Sequence, residues 1–167
     1  MVNKESILTE AEVWDVLREV EDPEIPVLSV VDMGVIREVV LSDNRVKVSI
    51  TPTYSGCPAM KTIEEDIREI LNEQSFDAVE VVTVLAPAWT TDWMSEEGKE
   101  KLRVYGIAPP EYSTADKAKL MGIEKTVTCP RCKSKNTEMV SQFGSTACKA
   151  LWKCKDCLEP FDYFKCI

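Results

Sequence analysis

The sequence predicts an α/β fold: a small mixed-sheet domain with helices on it, followed by a C-terminal four-cysteine, zinc-ribbon-like unit. Three observations predict it. Between residues 35 and 85, branched apolar runs and one long helical stripe follow in the order strand, strand, helix, strand. Two Cys-x-x-Cys pairs, Cys129/Cys132 and Cys154/Cys157, lie near the end of the chain. Charge divides along the same line. Residues 1–125 carry 13 Lys and Arg against 25 Asp and Glu, a balance of −12, whereas residues 126–167 carry 7 against 4, a balance of +3.

At 167 residues and 44% hydrophobic content, the chain has room for one ordinary core and a small satellite. Its acidic body is a poor match for a nucleic-acid backbone. Seven Cys and no His remove the usual general base and the commonest imidazole ligand, so any metal falls to thiolates, carboxylates or backbone oxygens. The first residues have no apolar core, so no secretory leader is expected, and no run of about 18 apolar residues is present to span a membrane. A cytoplasmic protein is expected, with its cysteines as ligands or free thiols rather than disulfides.

In chain order, Thr9-Glu10-Ala11-Glu12 reads as a capping box opening a helix from about Thr9 to Val20, with Val13, Trp14, Leu17 and Val20 as its stripe. Pro23 disfavours helix at Asp22. The segment Asp22-Pro23-Glu24-Ile25-Pro26 then reads as a stiff, solvated turn carrying two carboxylates. Val35 to Leu41 and Arg45 to Thr51 form a hairpin around Ser42-Asp43-Asn44. Met60, Ile63, Ile67, Ile70 and Leu71 share one face of a helix ending near Glu73, with Glu64, Glu65, Asp66 and Glu69 on its solvated side. Ala78 to Leu85 is the next strand, and the intervening helix makes a right-handed βαβ crossover the expected connection.

Trp89-Thr90-Thr91-Asp92-Trp93 fits a pocket lining, a partner surface or a core lid. Ser95-Glu96-Glu97 starts a further helix that Gly106 ends. The expected division is a first domain over 1–108, a linker over 109–125 with one helical turn near Ala115–Met121, and a Cys-rich ribbon over 126–167.

The chain is organised around Thr51-Pro52-Thr53-Tyr54-Ser55-Gly56-Cys57-Pro58, where strand hands over to helix. Pro58 suits the first helical position, which leaves Cys57 as the cap. A thiol there faces unpaired backbone N–H groups and the positive end of the helix dipole, which favours the thiolate, the form that attacks electrophiles or binds metal. It also fits a small apolar cap tucked under the sheet.

The two knuckles are separated by 21 residues, close to zinc-ribbon spacing. Each supplies two soft ligands on a tight turn, and a unit of this size needs a metal to hold it. Cys129, Cys132, Cys154 and Cys157 therefore form a four-thiolate site for zinc or, with the same ligands, an iron–sulfur cluster. Glu138 to Phe143 and Ala150 to Cys154 read as ribbon strands. Cys148 and Cys166 are additional thiols, suited to the ribbon core, a second metal site or redox chemistry.

Asp22-Pro23-Glu24, Val31-Asp32-Met33-Gly34-Val35-Ile36 and the Thr-x-Thr-x-x-x-Cys-Pro motif at Thr51–Pro58 resemble the iron–sulfur-assembly domain family over residues 8–105. Pro87 to Gly98, Gly106 to Pro110 and Phe143 to Leu151 with its flanking knuckles are similar to the PaaD family, D subunits of the multicomponent phenylacetyl-CoA oxygenase. The resemblance implies an accessory protein of aerobic phenylacetate degradation. It would not epoxidise the ring itself, but would mature a metal centre in the oxygenase's reductase or di-iron subunit. It further implies that Cys57 handles a transient iron–sulfur cluster or iron, and that Asp22 and Glu24 match the family's acidic pair. With one such thiol per chain, a cluster bridged across a homodimer is expected, with oxygen contacts from Asp22, Glu24, Thr51 or Thr53.

Three other readings stand beside it. One is a structural adaptor whose acidic body and basic ribbon dock different oxygenase components. A thiol enzyme using Cys57 is disfavoured because there is no His. Nucleic-acid binding is permitted only weakly by the ribbon's charge, so neither nucleic acid nor membrane is an expected partner.

Overall fold

A computed structural model describes residues 8–111 and 126–165. The expected helical turn near 115–121, most of the linker and Cys166 lie outside the described residues. The chain divides into two compact units, residues 8–52 with 56–88, and residues 53–55 with 89–111 and 126–165.

In the first unit, α1 (Glu10–Leu17) opens on the expected capping box. Thr9 N–H donates to Glu12 Oε2 at 2.7 Å, and Glu12 N–H donates to Thr9 Oγ1 at 3.4 Å. The bond from the Thr9 backbone holds the Glu12 carboxyl below the usual carboxylate range. The helix stops at Leu17 rather than Val20, because Glu19 and Val20 tighten to bonds with the Val16 and Leu17 carbonyls. The two-proline segment is ordered as a two-stranded ribbon of β1 (Glu21–Asp22) and β2 (Ile25–Ser29), where a solvated turn was expected. Pro26 is tolerated there because a two-stranded ribbon leaves one side of each strand without ladder bonds.

The main sheet has the order β3 (Ile36–Ser42), β4 (Arg45–Ile50), β5 (Ala78–Thr83). β3 and β4 are antiparallel around Asp43 and Asn44, both left-handed at φ 47° and 60°. β5 runs parallel to β4, as a crossover through α2 (Ala59–Asn72) requires. Val46, Val48 and Ile50 alternate along β4, and Ile63, Ile67 and Leu71 recur along α2; all six are buried. α2 packs on β5 and α1, and its Arg68 guanidinium reaches over to the Val79 and Val81 carbonyls at 3.4 and 3.1 Å. Those bonds occupy part of an otherwise open sheet edge. Ile67 is fully enclosed, so Ile67→Ala is expected to cost about 2–5 kcal/mol, read as a lower urea midpoint for this unit.

The helices of the second unit are a single 3₁₀ turn (Thr91–Trp93) and α3 (Glu96–Tyr105), among the described residues. Ser95 Oγ accepts from Gly98 N–H at 2.9 Å, and Gly106 ends the helix at φ 99°. The sheet order is β6 (Ile107–Ala108), β9 (Pro160–Phe164), β8 (Lys149–Cys154), β7 (Thr137–Ser141). β6 pairs parallel with β9, through Ile107 with Asp162 and Ala108 with Tyr163. β6, which follows α3 directly, thus extends the sheet of the cysteine-rich ribbon. No strand was expected here from the sequence; β9 opens on Pro160, a position at which a strand accepts proline. Trp89 is buried edge-to-face on Phe164, ring centroids 6.0 Å apart, which answers the lid reading for that tryptophan. Among the described residues, no helix is long and apolar enough to cross a membrane.

Candidate metal centre and cargo cysteine

The two knuckles share one shape. After Cys132 and after Cys157 comes a non-glycine residue in the left-handed region, Lys133 and Leu158, each at φ 65°. This reversal aims a backbone N–H back at the preceding sulfur, from Ser134 onto Cys132 and from Glu159 onto Cys157. Asp156 ties the knuckles together, accepting from Ser134 Oγ at 2.5 Å and Asn136 Nδ2 at 2.7 Å. Those two bonds, Ser134 first, hold its carboxyl below the usual range. Nothing in the spacing pointed to this clamp.

All four sulfurs lie within 4.8 Å of one another, with Cys129 to Cys157 at 3.8 Å and Cys132 to Cys154 at 3.5 Å. Four sulfurs at about 2.3 Å from one tetrahedral ion stand about 3.8 Å apart, so the residues fit a single soft dication. Cys129 and Cys154 are buried, whereas Cys132 and Cys157 face solvent. The Cys157 N–H, then that of Asp156, lower the Cys154 thiol to about 7. Glu159 N–H lowers Cys157, but desolvation and the neighbouring thiols outweigh it and push that group up to about 12. Cys132 also moves up, desolvation and thiol neighbours prevailing over its bond from Ser134. With protons on the sulfurs, charge is thus unequally shared; a bound dication would favour the thiolate at all four. Cys148 is buried with its sulfur 3.0 Å from Thr146 Oγ1 and is not one of the four.

Cys57 lies at the other candidate site, one residue ahead of the observed cap rather than in the cap position expected for it. Pro58 occupies the cap of α2 in helical conformation, and no side chain bonds the first-turn N–H groups. The Cys57 carbonyl instead accepts from Met60 N–H at 3.3 Å. Gly56 stands at φ 81° just before it, a turn that L side chains resist. The Cys57 thiol is half-buried and has no hydrogen-bond partner among the described residues.

The residues grouped with it by sequence take different places. Asp22 is buried, and its Oδ1 accepts from the Glu24 and Ile25 N–H groups at 2.8 Å each, closing the turn between β1 and β2. Glu24 is half-buried on that turn. Thr51 follows β4 with its N–H on the Val35 carbonyl, and its buried hydroxyl has no partner among the described residues. Thr53 is buried in the loop between Thr51 and Cys57. The structure gathers the four ribbon cysteines, but it joins none of these four residues to Cys57 by a hydrogen bond.

Comparison with known proteins separates the same two parts. Residues 10–85 match the model of the iron–sulfur cluster assembly protein family, and residues 113–165 match the PaaD zinc beta ribbon domain. An Escherichia coli protein, named as the D component of a "Putative 1,2-phenylacetyl-CoA epoxidase", is 49% identical over 156 residues, spanning 93% of this chain and 92% of that protein. A Porphyromonas gingivalis "Fe-S protein maturation auxiliary factor" is 39% identical over 103 residues, 60% of this chain and 97% of that protein. The crystal structure of a domain of unknown function, DUF59, from Bacillus anthracis superposes with a TM-score of 0.53 at 29% identity, over 56% of this chain and 90% of that one.

Proposed function

The chain belongs to the PaaD family, the D subunits of phenylacetyl-CoA epoxidases, and from that premise we propose that it matures a metal centre in a partner subunit, the reductase or the di-iron subunit. Its cargo is an iron–sulfur cluster, or iron, taken transiently on Cys57. The likeness to maturation factors supports an accessory role over a catalytic one.

One observation carries the reading: the Cys57 thiol is reachable and unbonded, ahead of a helix whose first turn has no side-chain cap. A carrier must release what it holds, which calls for few ligands and open access. One thiolate per chain is too few for a cluster, so Cys57 of a second copy, or a ligand of the recipient, completes the set. Thr51, with its unmatched hydroxyl, and Glu24 and Thr53 are candidate oxygen contacts, beside Asp22 where the turn leaves it room.

For the ribbon the proposed metal is zinc. Sulfurs within 4.8 Å suit one ion, whereas a cubane of irons and sulfides would hold its thiolates farther apart. Among the described residues the cysteines form no disulfide, which supports a cytoplasmic location. A second reading, the adaptor, is favoured by exposed Met139, Val140 and Phe143 at and beside the edge strand β7.

Anaerobic addition of iron and sulfide to the zinc-loaded chain is expected to give a visible chromophore that passes to apo-reductase. Cys57→Ser should lose both chromophore and transfer while keeping its zinc. A variant that matches wild type in colour and in transfer would end the carrier reading.

A further inference from the structure

Two buried side-chain polar atoms among the described residues lack any hydrogen-bond partner, and one is the indole Nε1 of Trp152. Native proteins rarely bury a donor unmatched, because the lost hydration is not recovered. Trp152 belongs to the apolar cluster of Ala108, Val127, Cys129, Ala150, Cys154, Phe161 and Tyr163. It precedes Cys154 by two positions on β8, so both side chains leave the same face of the strand. Few side-chain atoms in that cluster can accept a hydrogen bond: the sulfurs of Cys129 and Cys154, and the Tyr163 hydroxyl; the main-chain carbonyls of β8 and β9 face their ladder neighbours. The Tyr163 ring meets Trp152 edge-to-face at 6.1 Å. As thiols the two sulfurs are weak acceptors; as metal-bound thiolates they are strong ones.

We infer that Trp152 is a positioning residue of the metal centre, its indole N–H donating to a buried metal thiolate, Cys129 or Cys154, once the four sulfurs hold their ion. The inference rests on the four-cysteine site being a metal site. The donor lies on the core side, opposite Cys132 and Cys157, which face solvent and take their N–H bonds from the knuckle backbone. A solvated thiolate pair outside and an indole-bonded pair inside would divide the charge between them. Such donors set ligand orientation and basicity, and their loss typically weakens metal binding 10- to 100-fold.

Cobalt(II) and zinc are the probes, added to the full chain. One indole N–H resonance, identified by its absence in Trp152→Phe, is expected to move downfield on zinc addition and to become protected from solvent exchange. The phenylalanine keeps most of the packing but lacks the donor. Trp152→Phe should bind zinc on the order of 10-fold more weakly. Its sulfur-to-cobalt charge-transfer band should lie at lower energy, a change that packing alone would not produce. A Trp152 indole resonance unmoved by zinc in the wild-type chain overturns the inference, whatever the variant does. So does a variant with the wild-type band and affinity. A wild-type chain that takes up neither cobalt nor zinc overturns the metal site itself, and this inference with it.

Discussion

Cys154→Ser is expected to bring the metal content of the protein close to zero and to unfold the ribbon, while the α/β unit keeps its helical signal. Three features make this cysteine the critical one. It is buried, its thiol is lowered to about 7 by bonds from Cys157 and Asp156, and it closes β8 in the cluster that holds Trp152. A small ribbon buries too little apolar surface to stay folded on packing alone. Metal ligation supplies the difference, and in zinc-finger peptides it amounts to about 10–16 kcal/mol. Near-ultraviolet circular dichroism should lose the Trp152 contribution, and far-ultraviolet signal from α1 and α2 should persist. Stoichiometric metal and an intact aromatic spectrum in the variant would refute the role of this thiolate.

The same site predicts a pH dependence. At neutral pH Cys157, pushed up to about 12, and Cys132, also moved up, keep their protons without metal, while Cys154 near 7 is half ionised. A dication must displace at least the protons of Cys132 and Cys157. Protons therefore compete with metal, and apparent affinity should rise with pH by about 100-fold or more per unit around neutrality. In the metal-free chain the signs differ between groups. The depressed Cys154 favours the folded state at high pH and loses that contribution as pH falls through about 7; the raised Cys157 favours it at low pH and loses it as pH climbs towards about 12. Zinc competition measured against a chelator at several pH values checks the first slope. An affinity flat in pH would contradict it.

Cys57→Ser should abolish ring epoxidation in cells that depend on this chain, with metal still bound at the ribbon. The expected loss is large because the proposed carrier has a single thiol to offer and no neighbouring bond to compensate for it. The structural cost should be small, since the thiol is half-buried and bonds nothing among the described residues. The adaptor reading predicts the reverse: normal epoxidation in Cys57→Ser, and loss when Met139 and Val140 on β7 are both replaced by Lys. Substrate turnover by whole cells carrying each variant decides between them.

Wherever a local rule governs, the sequence was legible. Apolar period placed α2 and the hairpin of β3 and β4 within one or two residues, and Ser95 and Gly106 marked both ends of α3. Spacing of cysteines found the four sulfurs that cluster in the ribbon. The cap at Cys57 was misplaced by one position, because Pro58 can itself stand in helical conformation before the first full turn. Asp22 looked like a solvated carboxylate and is a buried turn acceptor, since two N–H groups beyond Pro23 were left for it to satisfy.

By itself, then, the sequence determined the two kinds of fold and the thiols each contains, because periodicity, turn chemistry and knuckle spacing act over a few residues. Only the tertiary structure decided that Ile107 and Ala108 join β9, that Asp156 clamps Ser134 and Asn136, and that the Trp152 indole is buried without a partner. Each of those depends on residues far apart in the chain meeting in space, and no local pattern records which distant side chain will be there.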